Sequence, residues 1–191
     1  MNKNLLLDRL PHYTNSGLKL RTDFRESIKF ELLMQDTNLD VKTKVIQALK
    51  LYYYDISKIE NIKEATEDIL WFYACGRKKQ KVDENKSEEK NNKQIYSYEF
   101  DDEYIYSAFM EQYKIDLNSI KYLHWWKFKA LLNSLNENTQ FVKIMGYRSV
   151  DLSKIKDKDM KANYEKLKKQ YSLPDMRTTE QKEADFGKAF W

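Results

Sequence analysis

Four glycines and two prolines are all that 191 residues supply for tight turns and positive-φ corners. A sandwich or barrel of many short strands needs such residues at most of its reversals, so their scarcity disfavours that kind of fold. What remains is a smaller number of longer elements. Lys, Glu, Leu and Asp are abundant, and apolar residues recur at helical spacing along much of the chain. The expectation is an all-α fold, a compact multi-helix bundle. Residues 18–22 are the exception: Leu18, Leu20 and Thr22 alternate with Lys19 and Arg21, which predicts a short extended segment.

The helices are placed by their start and stop signals. Residues 3–10 predict a short helix stopped at Pro11. Asp23 is the N-cap for a helix carrying Phe24, Ile28 and Leu32. After Asp36-Thr37-Asn38 a second begins, with Val41, Val45, Ala48 and Leu49 along one side. Asn61 caps the best-defined amphipathic helix, where Ile62, Ala65, Ile69 and Phe72 follow steps of three, four and three. Its start is acidic and its end is followed by Gly76 and basic residues, as the helix dipole and a Gly C-cap require. Further on, Asp101 and Asp102 open a helix through Ile105, Ala108, Phe109 and Tyr113. Asp116 or Ser119 then starts an apolar helix over about 120–135. Asn138 caps a turn or two ending at Gly146. Asp151 and Asp159 start later helices, the last carrying Met160, Tyr164, Leu167 and Tyr171 on one side and ending at Pro174.

Between these groups, residues 77–94 hold Val82 as their one aliphatic residue. Such a stretch cannot bury enough surface to offset the entropy of ordering it. The predicted organisation is an N-terminal helical part (1–76), a flexible charged loop (77–95), a C-terminal helical part (96–171) packed on the first as one domain, and a tail (172–191).

Charge and motifs narrow the function. With 34 basic against 30 acidic residues the net charge is +4, which does not demand an anionic partner. Lys outnumbers Arg, and Lys is the weaker choice for bidentate phosphate or base recognition. Asp83, Glu84, Glu88 and Glu89 interrupt the Lys-rich stretch, so nucleic-acid binding is disfavoured. The single cysteine, Cys75, excludes an internal disulfide and a multi-cysteine metal site. The only histidines are His12 and His124, and there is no metal-ligand pair, phosphate loop or nucleophile elbow. The expectation is no catalysis, no metal and no cofactor. The apolar run at Leu5-Leu6-Leu7 is too short for a signal peptide, and nothing approaches the roughly 20 apolar residues that span a bilayer. That predicts a cytosolic chain without a membrane partner.

The most informative run is Tyr122-Leu123-His124-Trp125-Trp126-Lys127-Phe128. On helical spacing Trp125, Phe128, Leu132 and Leu135 form one stripe, while Leu123, Trp126 and Ala130 fall on another side. Tandem tryptophans point about 100° apart. A helix apolar on two sides is either central to its own fold or bridges a core and a partner. Both readings stand at this point. In the second, Trp125 on the longer stripe points inward and Trp126 is the interface residue. His124 has no ligand companion three or four residues away, so it reads as a packed or partly exposed helix histidine.

The run from Phe100 to Leu117, the Tyr122–Phe128 block and Ile144-Met145-Gly146-Tyr147-Arg148 together resemble the "gene product fifteen" family of Gram-positive siphophages and prophages. The likeness extends from Leu6-Leu7-Asp8-Arg9-Leu10-Pro11 to about residue 150. The resemblance supplies no catalytic residues. It implies a gene lying between those of the major tail protein and the tape measure protein. That is the place of tail assembly chaperones, which bind the tape measure protein during tail growth in the host bacterial cytoplasm and self-associate along it. A structural component of the tail or head–tail connection is the alternative. The candidate partner-binding residues are Tyr122, Trp126, Lys129, Tyr147 and Arg148.

Overall fold

A computed structural model describes residues 4–14, 16–77 and 94–174. Most of the predicted charged loop 77–95 and of the tail 172–191 lies outside the described residues. Seven α-helices follow one another among the described residues: α1 (Phe24–Gln35), α2 (Val41–Tyr52), α3 (Ile62–Tyr73), α4 (Asp102–Tyr113), α5 (Trp125–Asn133), α6 (Gln140–Ser149) and α7 (Lys158–Gln170). No strand occurs among those residues, and the fold is mainly α as expected. Among the described residues, extended pairing is confined to three isolated bridges: Tyr13 with Lys19, Leu20 with Tyr53, and Asp23 with His124. The expected extended segment near 18–22 contributes to the first two.

Short polar side chains set most helix starts. Asp23 accepts from the Arg25 amide, Asp40 from Thr43, Asn61 from Glu64, Thr139 from Val142 and Asp157 from Met160. Each satisfies an N–H group that a helix start leaves unpaired, worth about 1 kcal/mol. Three sequence expectations shift by small amounts. Thr139 replaces Asn138 as the cap of α6, Asp157 replaces Asp159 as the cap of α7, and Asp151 caps only a 3-10 turn, Leu152–Lys154. α6 passes through Gly146 to Ser149, because a helical glycine with no C-cap geometry does not end a helix. The expected helix over 3–10 is instead a turn around Leu5–Leu7, held by hydrogen bonds between Asn4 and Asp8 and from Leu6 N to Asn4 Oδ1.

The largest departure is at α5, which starts at Trp125 rather than near 120. Leu123 N donates to Asp23 Oδ2, Phe24 N to Leu123 O, and Trp125 N to Thr22 O. These bonds hold His124 in extended backbone, φ −60° and ψ 136°. Pairing with a segment far away in the chain overrides the local helical preference.

The helices pack α1 on α2, α2 on α3, α1 on α5, α4 on α6 and α6 on α7. Their meeting point is a run of stacked rings. Phe128 of α5 stacks on Phe24 of α1 at 4.8 Å between centroids, on Phe109 of α4 at 5.1 Å and on Trp125 at 5.7 Å. Trp125 stacks in turn on Tyr73 of α3 at 5.4 Å. Each pair contributes about 0.5–1.5 kcal/mol beyond its buried area. On α3 the buried set is Ala65, Asp68, Ile69 and Phe72, while Ile62 of the predicted stripe is exposed, as is Leu70. α7 lies outside this core: none of its residues is buried, Tyr164 and Leu167 are half-buried, and Met160 is exposed.

Candidate functional site

The tryptophan block is built from three elements. His124 caps α5, its Nδ1 accepting from the Trp126 amide at 3.1 Å. An Nδ1 that accepts must be unprotonated, so the ring is the neutral tautomer carrying hydrogen on Nε2. That hydrogen is donated to the Pro11 carbonyl at 3.1 Å. Burial pushes the imidazole pKa down to about 4, with His12 and Lys127 adding to the effect against the Pro11 bond. Both nitrogens are therefore occupied by structure, and no free nitrogen faces a ligand.

The two indoles, divergent along α5, converge on one target. Trp125 Nε1 donates to the Tyr73 carbonyl at 2.9 Å, and Trp126 Nε1 donates to the Phe72 carbonyl at 2.8 Å. Phe72 and Tyr73 are the last residues of α3, where the final carbonyls lack helical partners. The chain turns away there through Cys75 and Gly76, both at positive φ. Trp125 is 0 % exposed and Trp126 4 % exposed. The interface reading of Trp126 is therefore corrected: it fastens α5 to the end of α3.

The other sequence candidates divide. Arg148 is 8 % exposed on its side chain and grips the fully buried Asp101 through two bonds, 2.6 and 2.8 Å. It also donates to the Ile95 and Tyr171 carbonyls. As an open partner contact it too is corrected, since nearly all its donors are spent inside the fold. Asp101 precedes α4 yet makes no side-chain cap bond, because its carboxylate is taken by Arg148 and the Ser97 amide. Lys129 is half-buried, donating to the Tyr96 hydroxyl at 3.1 Å and lying over the Tyr96 and Trp125 rings. Tyr147 is half-buried and stacks on Tyr171 at 5.8 Å. Tyr122 alone of the five is exposed, at 47 %. Its hydroxyl shares a 2.8 Å hydrogen bond with Thr22, whose hydroxyl also meets His12 Nδ1. Burial of that end pushes the Tyr122 hydroxyl pKa up.

Two open clefts lie elsewhere on the surface. One, of about 520 Å³, runs between α1 and α2 and is lined by Leu32, Leu33, Leu39 and Leu51 with Lys29, Lys50 and Asp36. The other, of about 420 Å³, lies between α1 and α4. Its walls are Phe24, Ile28, Ile105, Leu117 and Phe128, and Asp102, Glu103 and Tyr106 stand with them. Sequence reasoning missed both clefts. The available signal was Tyr106, a large aromatic on α4 outside the stripe of Ile105, Ala108 and Phe109. Among the described residues, no group of three or more His, Cys, Asp or Glu side chains is arranged to hold a metal ion. No described helix is long and apolar enough to cross a membrane.

The family model for Bacteriophage Gp15 protein matches residues 6–173. No curated protein and no solved structure matches the chain.

Proposed function

The chain belongs to the Bacteriophage Gp15 protein family, and from that premise we propose that this phage protein is a tail assembly chaperone. It binds the tape measure protein reversibly while tails grow in the host cytoplasm, and it works by contact rather than by catalysis. The observation that carries this reading is the pair of open, apolar-walled clefts between surface helices. Grooves of this kind receive the apolar face of an amphipathic helix. A tape measure protein, long and helical, presents such faces repeatedly, so several copies bind one client and self-associate along it. The tryptophans support the reading indirectly: with both indoles spent inside, the helices outside the aromatic core are left to meet a partner.

The test is co-expression of the full chain with a fragment of the neighbouring tape measure protein. A soluble complex that survives purification is the expected result. A fragment that stays insoluble, with no complex, removes the proposal. Mass spectrometry of purified virions is expected to find the chain absent, which separates a chaperone from a structural tail component.

A further inference from the structure

We propose that the cleft between α1 and α4 is the docking site for a cationic amphipathic helix, one that presents large apolar side chains flanked by Lys or Arg. The inference rests on the chaperone reading and adds to it which surface is used and what chemistry the partner segment must have.

The walls are apolar and come from separate elements: Ile28 from α1, Phe128 from α5 and Leu117 from the connection before it. The charge in the lining itself has one sign. Among the described residues, Asp102 and Glu103 are the only charged ones in the lining, and both are exposed. Asp116 lies close by: burial and then its carboxylate push the Tyr106 hydroxyl pKa up. The cation beside Phe24, Arg25, is paired with Asp23, which offsets its charge, and its remaining donors reach the Leu117 and Ile120 carbonyls. A chain whose net charge is +4 thus places two carboxylates of α4 at the edge of an apolar cleft. Such an arrangement attracts a basic segment, repels an acidic one and fixes the register of whatever enters.

Size points the same way. A cavity of about 150 Å³ holds a benzene ring, so about 420 Å³ admits two or three side chains of that class. Two anchors at i and i+4 on a helix are the usual unit of helix-in-groove recognition. The other cleft, lined by Lys29 and Lys50 against Asp36, has no such single sign.

The experiment uses the full chain and two synthetic helix-forming peptides that share leucines at i and i+4 and differ in flanking Lys or Glu. Binding is read by fluorescence anisotropy of the labelled peptide. The Lys peptide is expected to bind at least tenfold more tightly than the Glu peptide, with the ratio shrinking as salt rises. D102N/E103Q is expected to erase most of that ratio, and Tyr106→Ala, on an exposed side chain, to weaken the Lys peptide without changing the circular dichroism. Equal binding of the two peptides overturns the proposal. So does a preference that D102N/E103Q leaves intact. Sedimentation showing a dimer that D102N/E103Q disperses would assign the cleft to a second copy and also overturn it. The two readings fail separately. A tape measure complex unaffected by D102N/E103Q removes only the cleft assignment, while the peptide preference without any such complex removes only the client.

Discussion

Replacing Arg148 by Ala decides between a structural and an interface role for that residue. In the fold Asp101 is fully buried and its two oxygens receive three bonds, two from the Arg148 guanidinium and one from the Ser97 amide. Arg148→Ala leaves the carboxylate in the interior with a single donor, and also strips the Ile95 and Tyr171 carbonyls of a partner. Removing one member of a buried pair costs about 3–5 kcal/mol, mainly because the other charge is left uncompensated. In a chain of this length each kcal/mol lowers Tm by roughly 2–4 °C, so a fall of roughly 10 °C is expected. Urea titration followed by tryptophan fluorescence reads the same loss as a lower midpoint. The double variant Asp101→Leu with Arg148→Met removes both charges and is expected to recover most of it. The reasoning is refuted if Arg148→Ala stays within about 1 kcal/mol of wild type while tape measure binding falls, because the guanidinium then serves the partner and not the fold.

Acid should loosen the chain through His124. Its folded pKa, about 4, lies below the ordinary value of 6.5, so between those limits the unfolded chain binds the extra proton and the folded one does not. Stability contributed by the neutral ring is present above pH 6.5 and lost as pH falls toward 4, by at most about 3 kcal/mol. Denaturant midpoints measured across that range check the slope, and a His124→Asn variant, which keeps an acceptor for the Trp126 amide, should flatten it. The tryptophans should rank. Trp125→Phe leaves the Tyr73 carbonyl with only the weak Cys75 thiol, whereas after Trp126→Phe the Phe72 carbonyl still receives the Cys75 amide. The first is expected to cost about 1 kcal/mol more in chemical denaturation, and the opposite order would sink the carbonyl argument.

What the sequence displayed was local. The caps at Asp23 and Asn61 follow from side chains that satisfy amide groups two or three residues ahead, and both appear where expected. The helical class follows from period and from the scarcity of Gly and Pro. The start of α5 was hidden because its determinants are not local. Thr22, Asp23 and Phe24 bond to Leu123 and Trp125 and hold His124 extended. Ile62 fits the α3 period and yet is exposed, while Asp68 is buried, because period marks a face without showing which neighbour covers it.

The same limit explains the error about Trp126. Periodicity established that α5 is apolar on two sides but not whether chain or partner covers the second. A buried indole must find an acceptor for its N–H, so the deciding residues are those that place a carbonyl with a lone pair to spare nearby. α3 offers two at its end, just before the chain turns off through positive φ at Cys75 and Gly76: the Tyr73 carbonyl, met otherwise only by the weak Cys75 thiol, and the Phe72 carbonyl, which accepts from the indole in addition to the Cys75 amide. Divergent tryptophans can both be inside when adjacent carbonyls of one helix terminus accept from each. The candidate docking cleft was illegible for the complementary reason. Ile28, Leu117 and Phe128 each look like ordinary core positions, and only their convergence beside Asp102 and Glu103, with Arg25 tied to backbone carbonyls, leaves an apolar cleft of one charge sign.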